Sequence, residues 1–319
     1  MHTRNGISRV GVMMAAMTII LFISFALIWT LSQRSQQRTL TCQWNQQRMI
    51  EAVQRYDAAY GSLPGFRQPR FGVSAVDDDE AREMVSWAFS IMPYLHERRQ
   101  PPDDATPAWH TLYDTFGPQA VGDQRNMKPR GRVGLYLCPS DIDREGVAPL
   151  SFAANAGMPD YGGSVPADYR ANGLLMDRGP ARMTSWSLHD LAAADGVSHT
   201  IFMSENIDAG NWNDTLEPLV SILWRPIGVA NPVLAINESI AARSPDGNSS
   251  MFARPSSYHP RGVNIAFPGG STRVLTPATD KRLYRQMLAA DDANVQDNVS
   301  GQLLTSLFTL PVGSESARE

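Results

Sequence analysis

VGVMMAAMTIILFISFALIWTL, residues 10–31, runs for 22 residues without a charge. At 1.5 Å of helical rise per residue, that length crosses a ~30 Å hydrocarbon core. A cleaved secretory signal has a shorter apolar region of ~7 to 15 residues and ends at small residues. Trp29-Thr30-Leu31 offers no such cleavage site, so the stretch reads as a transmembrane helix contacting membrane lipid. His2, Arg4 and Arg9 flank one side and Arg34, Arg38 and Arg48 the other, so charge bias discriminates the orientations weakly. Because the bulk of the chain follows the segment, the expectation is a single-pass protein with a cytoplasmic N-terminus and an extracytoplasmic domain.

Beyond residue 31 the helical pattern continues, with Cys42, Gln46, Met49, Val53, Tyr56 and Tyr60 separated by alternating steps of four and three. Such spacing places them on one helix face. Gly61 and Pro64 supply stop signals. The division is therefore a basic leader at 1–9, a transmembrane helix at 10–31, its continuation at 32–60, an α+β domain at 61–311 and a polar tail at 312–319. The fold class expected is α+β, with the long N-terminal helix packed on an antiparallel sheet carrying irregular insertions.

Further along, VNIAF at 263–267 and STRVL at 271–275 alternate like strands, and Pro268-Gly269-Gly270 between them makes a β-hairpin. Other strands are expected at 133–137, 200–204 and 219–224, and helices at 80–97, at 109–116 and at 280–290. In the last of these Leu283 and Met287, with Tyr284 and Leu288, should face inward. The Pro-, Asp- and Arg-rich stretch 101–132 reads as a surface insertion.

The chain has 319 residues, 43% apolar and 19% charged, with a net charge of −4 and a pI near 5.9. These values describe a folded globular domain and give no basic surplus for nucleic acid. No G-x-S-x-G elbow, Walker loop, G-x-G-x-x-G fingerprint or HExxH is present. The two cysteines and six histidines have no zinc-ligand spacing. No catalytic residue, enzyme activity, cofactor or metal is therefore expected. Cys42 and Cys138 could form one disulfide in an oxidising compartment or stand as two buried thiols, and both readings stay open. Glu205, Asp208, Asn211 and Asp214 gather oxygen donors as a calcium loop would, although a turn-rich connection with Asx turns uses the same residues and is preferred. The acidic run 77–80 reads as a solvated loop leading into a helix.

Short motifs add a resemblance. Asn5-Gly6-Ile7-Ser8-Arg9-Val10-Gly11 resembles a degraded prepilin signal, which would put the processing point between Gly6 and Ile7. Thr41-Cys42-Gln43-Trp44, YDAAYGSLP at 56–64, Leu137-Cys138-Pro139-Ser140-Asp141, Asn155-Ala156-Gly157, the DGVSHT stretch at 195–200, Ser204-Glu205-Asn206 and Ser257-Tyr258-His259-Pro260 are similar to a bacterial family of unknown function. That family is labelled by an H-X9-DG motif and is also filed among putative solute-binding proteins. The resemblance implies a pseudopilin-like cell-envelope protein of structural or assembly role, assembling with its own copies or pseudopilin-type partners. The alternative is a solute- or ligand-binding module on the same anchor, with Trp186, Trp212 and Trp224 as exposed aromatic candidates. The C-terminal motif, His259, Pro260, Gly262, Gly269 and Gly270, is read as structural, because Gly269 stands where the family has Asp and supplies backbone freedom to the turn. Gly11 stands where pilins carry the Glu that would demand a buried partner.

Overall fold

A computed structural model describes residues 9–69, 84–95, 131–142, 144–160, 168–179, 184–226, 233–240, 249–298 and 303–304. The expected processing point, acidic run, helix at 109–116 and C-terminal tail lie outside the described residues, as does most of the insertion. Helix α1 (Arg9–Tyr60) is continuous over 52 residues, about 78 Å at 1.5 Å per residue. It is long and apolar enough to cross a membrane, and its apolar window has no residue buried against the domain. Phe22, Ile28 and Trp29 are all exposed. The hydroxyls of Thr18, Ser24 and Thr30 donate back to the carbonyls of Ala15, Ile20 and Leu27 at 2.8, 2.8 and 2.9 Å. No hydroxyl proton in that stretch therefore needs water.

From Cys42 onward the same helix becomes a wall of the domain. Cys42, Gln46, Met49, Val53 and Tyr56 are buried, as the spacing predicts, and so is Ile50; burying each large apolar side chain contributes about 1.5–3 kcal/mol. Tyr60 departs from the expectation: it is exposed, its ring set against Tyr56 and Tyr94 at the helix end. Gly61, at φ +66°, closes the helix by donating its N–H to Asp57 O at 2.7 Å, a left-handed cap that glycine takes without Cβ strain.

Strands β1 (Arg67–Pro69) and β2 (Met84–Ser86) form a small antiparallel pair. Helix α2 (Trp87–Ile91) follows, with Ser86 Oγ as N-cap. This is shorter than the helix expected at 80–97, since residues 84–86 pair as a strand. The main sheet has five strands in the order β5-β3-β4-β6-β7: β3 (Phe152–Gly157), β4 (Met203–Glu205), β5 (Ser221–Leu223), β6 (Val263–Ala266) and β7 (Thr272–Leu275). Helices α3 (Leu188–Ala193), α4 (Glu217–Val220) and α5 (Lys281–Gln286) are short.

The α+β class, with the long helix packed on the sheet, is as expected, and the sheet is antiparallel except at one edge, where β5 pairs parallel to β3, which the long connection through β4 permits. Two further expectations need correction. The strand expected at 133–137 is a 3-10 turn, Gly134–Tyr136. Its Tyr136 N–H returns to Val133 O at 3.0 Å instead of joining a ladder. In α5 the buried side chain is Tyr284, with Leu288 just beyond the helix, while Leu283 is exposed.

The hairpin stands as read, with Val263 opposite Leu275 and Ala266 opposite Thr272. Gly270 N donates to Phe267 O at 2.9 Å, and the positive φ, +93°, falls on Gly270 and not on Gly269. The Gly269 N–H instead donates to Val197 O at 2.9 Å. The sheet separates two apolar layers. Helix α1 with Trp87, Phe152, Phe202 and Trp212 fills one, and Ile201, Ile222, Trp224, Val263, Ile265 and Phe267 belong to the other.

Candidate functional site

Helix α1 is joined to β6 by side-chain amides. Gln43 Nε2 donates to Asn264 Oδ1 at 3.0 Å and Gln46 Nε2 to Asn264 O at 2.9 Å. Asn264 in turn holds Glu205, the last residue of β4: its main-chain N–H and Nδ2 donate to Glu205 Oε2 at 2.7 and 3.2 Å. One carboxylate oxygen is thereby fixed, and the other, Oε1, is aimed at the helix.

Three donors converge on Oε1. Cys42 Sγ is 2.7 Å away, Cys138 Sγ 3.0 Å and His259 Nε2 2.9 Å. Cys138 Sγ also lies 3.3 Å from His259 Nε2. The four potential ligand atoms all fall within 4.8 Å of one another, and the four residues are 0 to 5% exposed. Around them, Thr39 Oγ1 and Ser140 Oγ each lie 3.1 Å from His259 Nδ1. The Ser140 N–H donates to Cys138 Sγ at 3.4 Å.

The electrostatics follow from this packing. Burial pushes the Cys42 thiol well above its ordinary value, helped by Cys138 and Glu205. The hydrogen bond from Cys42 lowers the Cys138 thiol against the effect of its burial, with help from His259. Burial works to raise Glu205, but bonds from His259, Cys42 and the Asn264 N–H outweigh it and hold the carboxyl low. Burial opposes the charge on His259, yet Cys138 and Glu205 raise it to about 10. The raised imidazole and the lowered carboxyl favour a buried charged pair, His259 with Glu205, beside the two cysteines.

The sequence-derived candidates scatter differently from expectation. Cys42 and Cys138, left open between a disulfide and two buried thiols, are unbridged and buried in this structure, each with its Sγ against Glu205 Oε1. The calcium loop is not assembled. Glu205 points at the cysteines, Asp208 pairs with Arg254 at 2.5 Å, Asp214 accepts from the Asn211 N–H at 2.7 Å, and Asn211 Oδ1 accepts from the Ala148 N–H at 3.1 Å. The exposed aromatic candidates are buried. Trp186, Trp212 and Trp224 are 4, 1 and 2% exposed, and their indole N–H groups donate to the carbonyls of Arg170, Gly131 and Asn172.

His259, read from sequence as structural together with Pro260, Gly262, Gly269 and Gly270, is separated in role from the turn: the turn is at Gly270 and the histidine is in the cluster. Local spacing overlooks this set, because its members lie 54 (259 − 205), 67, 121 and 163 positions apart in the pairs that touch. The signal available was that each of the four residues sits in a different one of the short motifs, at 41–44, 137–141, 204–206 and 257–260.

A family model described as protein of unknown function (DUF1559) matches residues 32–282. No curated protein and no solved structure matches the chain.

Proposed function

From membership of the DUF1559 family, to which this chain belongs over residues 32–282 and which fixes no activity, we propose that the protein is a single-pass, pseudopilin-like component of the cell envelope. It displays an extracytoplasmic domain and has a structural or assembly role in place of catalysis. The observation that carries the reading is α1: one unbroken helix whose first half is apolar and exposed and whose second half is buried in the domain. A free secretory signal would not be continuous with a load of core side chains ending at Tyr56. Without water to cover it, the exposed half needs lipid or the helices of other copies. Gly11 offers no buried carboxylate, so lateral association in the bilayer would rest on packing. The binding-module alternative draws support only from the family's filing, since its three tryptophans are core residues.

Fractionation of cells expressing the full chain tests this. The expected result is retention in the membrane through high salt and alkaline washing, with the domain digested by protease added outside spheroplasts. Recovery as a soluble protein lacking residues 10–31 would overturn it. Intact-mass analysis on the same sample distinguishes a mature chain starting at Ile7 from an unprocessed anchor.

A further inference from the structure

We propose that Cys42, Cys138, Glu205 and His259 form a binding site for one divalent zinc ion that clasps the N-terminal helix to the domain. The donor set is two thiols, an imidazole and a carboxylate, the ligand types tetrahedral Zn²⁺ takes. Zinc bonds of about 2.0–2.3 Å set neighbouring ligand atoms about 3.3–3.8 Å apart in a tetrahedron. The contacts here are 2.7, 2.9, 3.0 and 3.3 Å, and no pair exceeds 4.8 Å. Shifts of a few tenths of an ångström per side chain open these four contacts to that spacing.

Glu205 Oε1 receives three donors at once, more than the two lone pairs of one carboxylate oxygen accommodate well. A single cation at their centre replaces that crowding with four bonds. On binding, both thiol protons and the His259 Nε2 proton leave to solvent. Two thiolates, a carboxylate and a neutral imidazole then surround the ion, with no change of oxidation state.

The surrounding shell is built for the same geometry. Asn264 fixes Glu205 Oε2 and leaves Oε1 directed inward. The Thr39 and Ser140 hydroxyls can accept the His259 Nδ1 proton in a hydrogen bond, which selects the tautomer with Nε2 free to ligate. The Ser140 N–H steadies Cys138 Sγ. With all four ligands protein-derived and the site closed to solvent, the ion is structural and has no open position for a substrate. It ties α1, the turn after Tyr136, the end of β4 and the segment before β6 into one unit.

The site is independent of membrane anchoring, because metal content reads the same whether residues 10–31 span a bilayer or not. Full-length protein purified in detergent, under reductant and without chelator, should contain one zinc per chain by elemental mass spectrometry. Cobalt loading should give thiolate charge-transfer bands and the visible bands of a tetrahedral ion. Cys138→Ser and His259→Gln should each weaken zinc affinity at least tenfold, while His199→Gln, an exposed control, retains it. Should the variants fail to fold, the wild-type cobalt spectrum still decides. Folded wild type with no stoichiometric metal, a Cys42–Cys138 disulfide in metal-free protein, or a metal retained by the Cys138→Ser/His259→Gln double variant would each overturn the proposal.

Discussion

Arg254 Nη1 lies 2.5 Å from Asp208 Oδ2, and the two side chains are 0 and 3% exposed. The same guanidinium donates from Nε and Nη2 to Glu238 O at 2.9 and 2.7 Å and from Nη1 to Phe252 O at 3.1 Å. Removing one partner of a buried pair leaves the other charge without its counter-ion, which costs about 3–5 kcal/mol. Asp208→Ala should therefore lower stability by that order in chemical denaturation. A loss under 1 kcal/mol would mean that water or another group compensates Arg254.

The same geometry predicts the response to calcium. Asp208 is committed to Arg254 and Asp214 to the Asn211 amides, so no converging oxygen cage is present among Glu205, Asp208, Asn211 and Asp214. Millimolar calcium added to the purified chain should leave its thermal midpoint unchanged. A rise with concentration would follow from binding to the native state and would show that these side chains rearrange.

Asp195 gives a pH dependence with a definite sign. Burial, reinforced by Asp292 and Asp291, raises its carboxyl from 3.8 to about 6, although the Asp292 N–H, which donates to Oδ2 at 2.7 Å, and His199 oppose this. A folded-state value above the unfolded one means that the native chain binds the proton more tightly. Its contribution is present below pH ~3.8 and is lost as pH rises through about 6. Asp195→Asn keeps an oxygen to accept that N–H and removes the ionisation. The variant's thermal midpoint should match wild type near pH 4 and exceed it at pH 7. Parallel curves across that range would refute the assignment.

Two glycines of the C-terminal motif should respond differently to the same change. Gly262 has φ +133°, and a Cβ there would fall on the carbonyl oxygen of Leu275. Gly262→Ala must push β7 away from β6, and it should unfold the hairpin or abolish expression of folded protein. Gly270 has φ +93°, yet its Cβ would meet nothing closer than Gln54 Nε2 at 3.9 Å. Gly270→Ala should cost only the backbone strain, about 1–3 kcal/mol. Equal losses at the two positions would show that close approach is not what distinguishes them.

These contrasts also mark where the sequence was readable. Helix α1 was legible because its apolar run passes without a break into a four-three spacing, and the hairpin because alternation flanks Pro268-Gly269-Gly270. Strand β3 was not, since FAANAG is buried on both faces, which erases the period-two signal on which strand reading depends. The apolar run at 133–137 imitated a strand, but its backbone turns at Gly134. The cluster was invisible to spacing rules because those rules see ligands on one element, whereas its residues come from four segments. Glu205 was singled out, but for the wrong neighbours: β4 carries it toward Cys42 while Asp208 turns away to Arg254.

The junction between the two halves of α1 yields the last prediction. Leu40 is 63% exposed, and Met49, nine positions later on the same helix, is fully buried in the layer beneath the sheet. Both are long apolar side chains, so their intrinsic helix preferences nearly cancel and packing alone separates them. Truncating Met49 removes buried methylenes and leaves a cavity, a loss of about 2–5 kcal/mol. Leu40→Ala should change domain stability by less than ~0.5 kcal/mol, as exposed substitutions do. Denaturant titrations of the two variants in the same detergent check this. If Leu40→Ala destabilises as strongly as Met49→Ala, then the domain grips the helix well before Cys42, and the boundary between the exposed half and the wall lies closer to the apolar segment than the burial pattern places it.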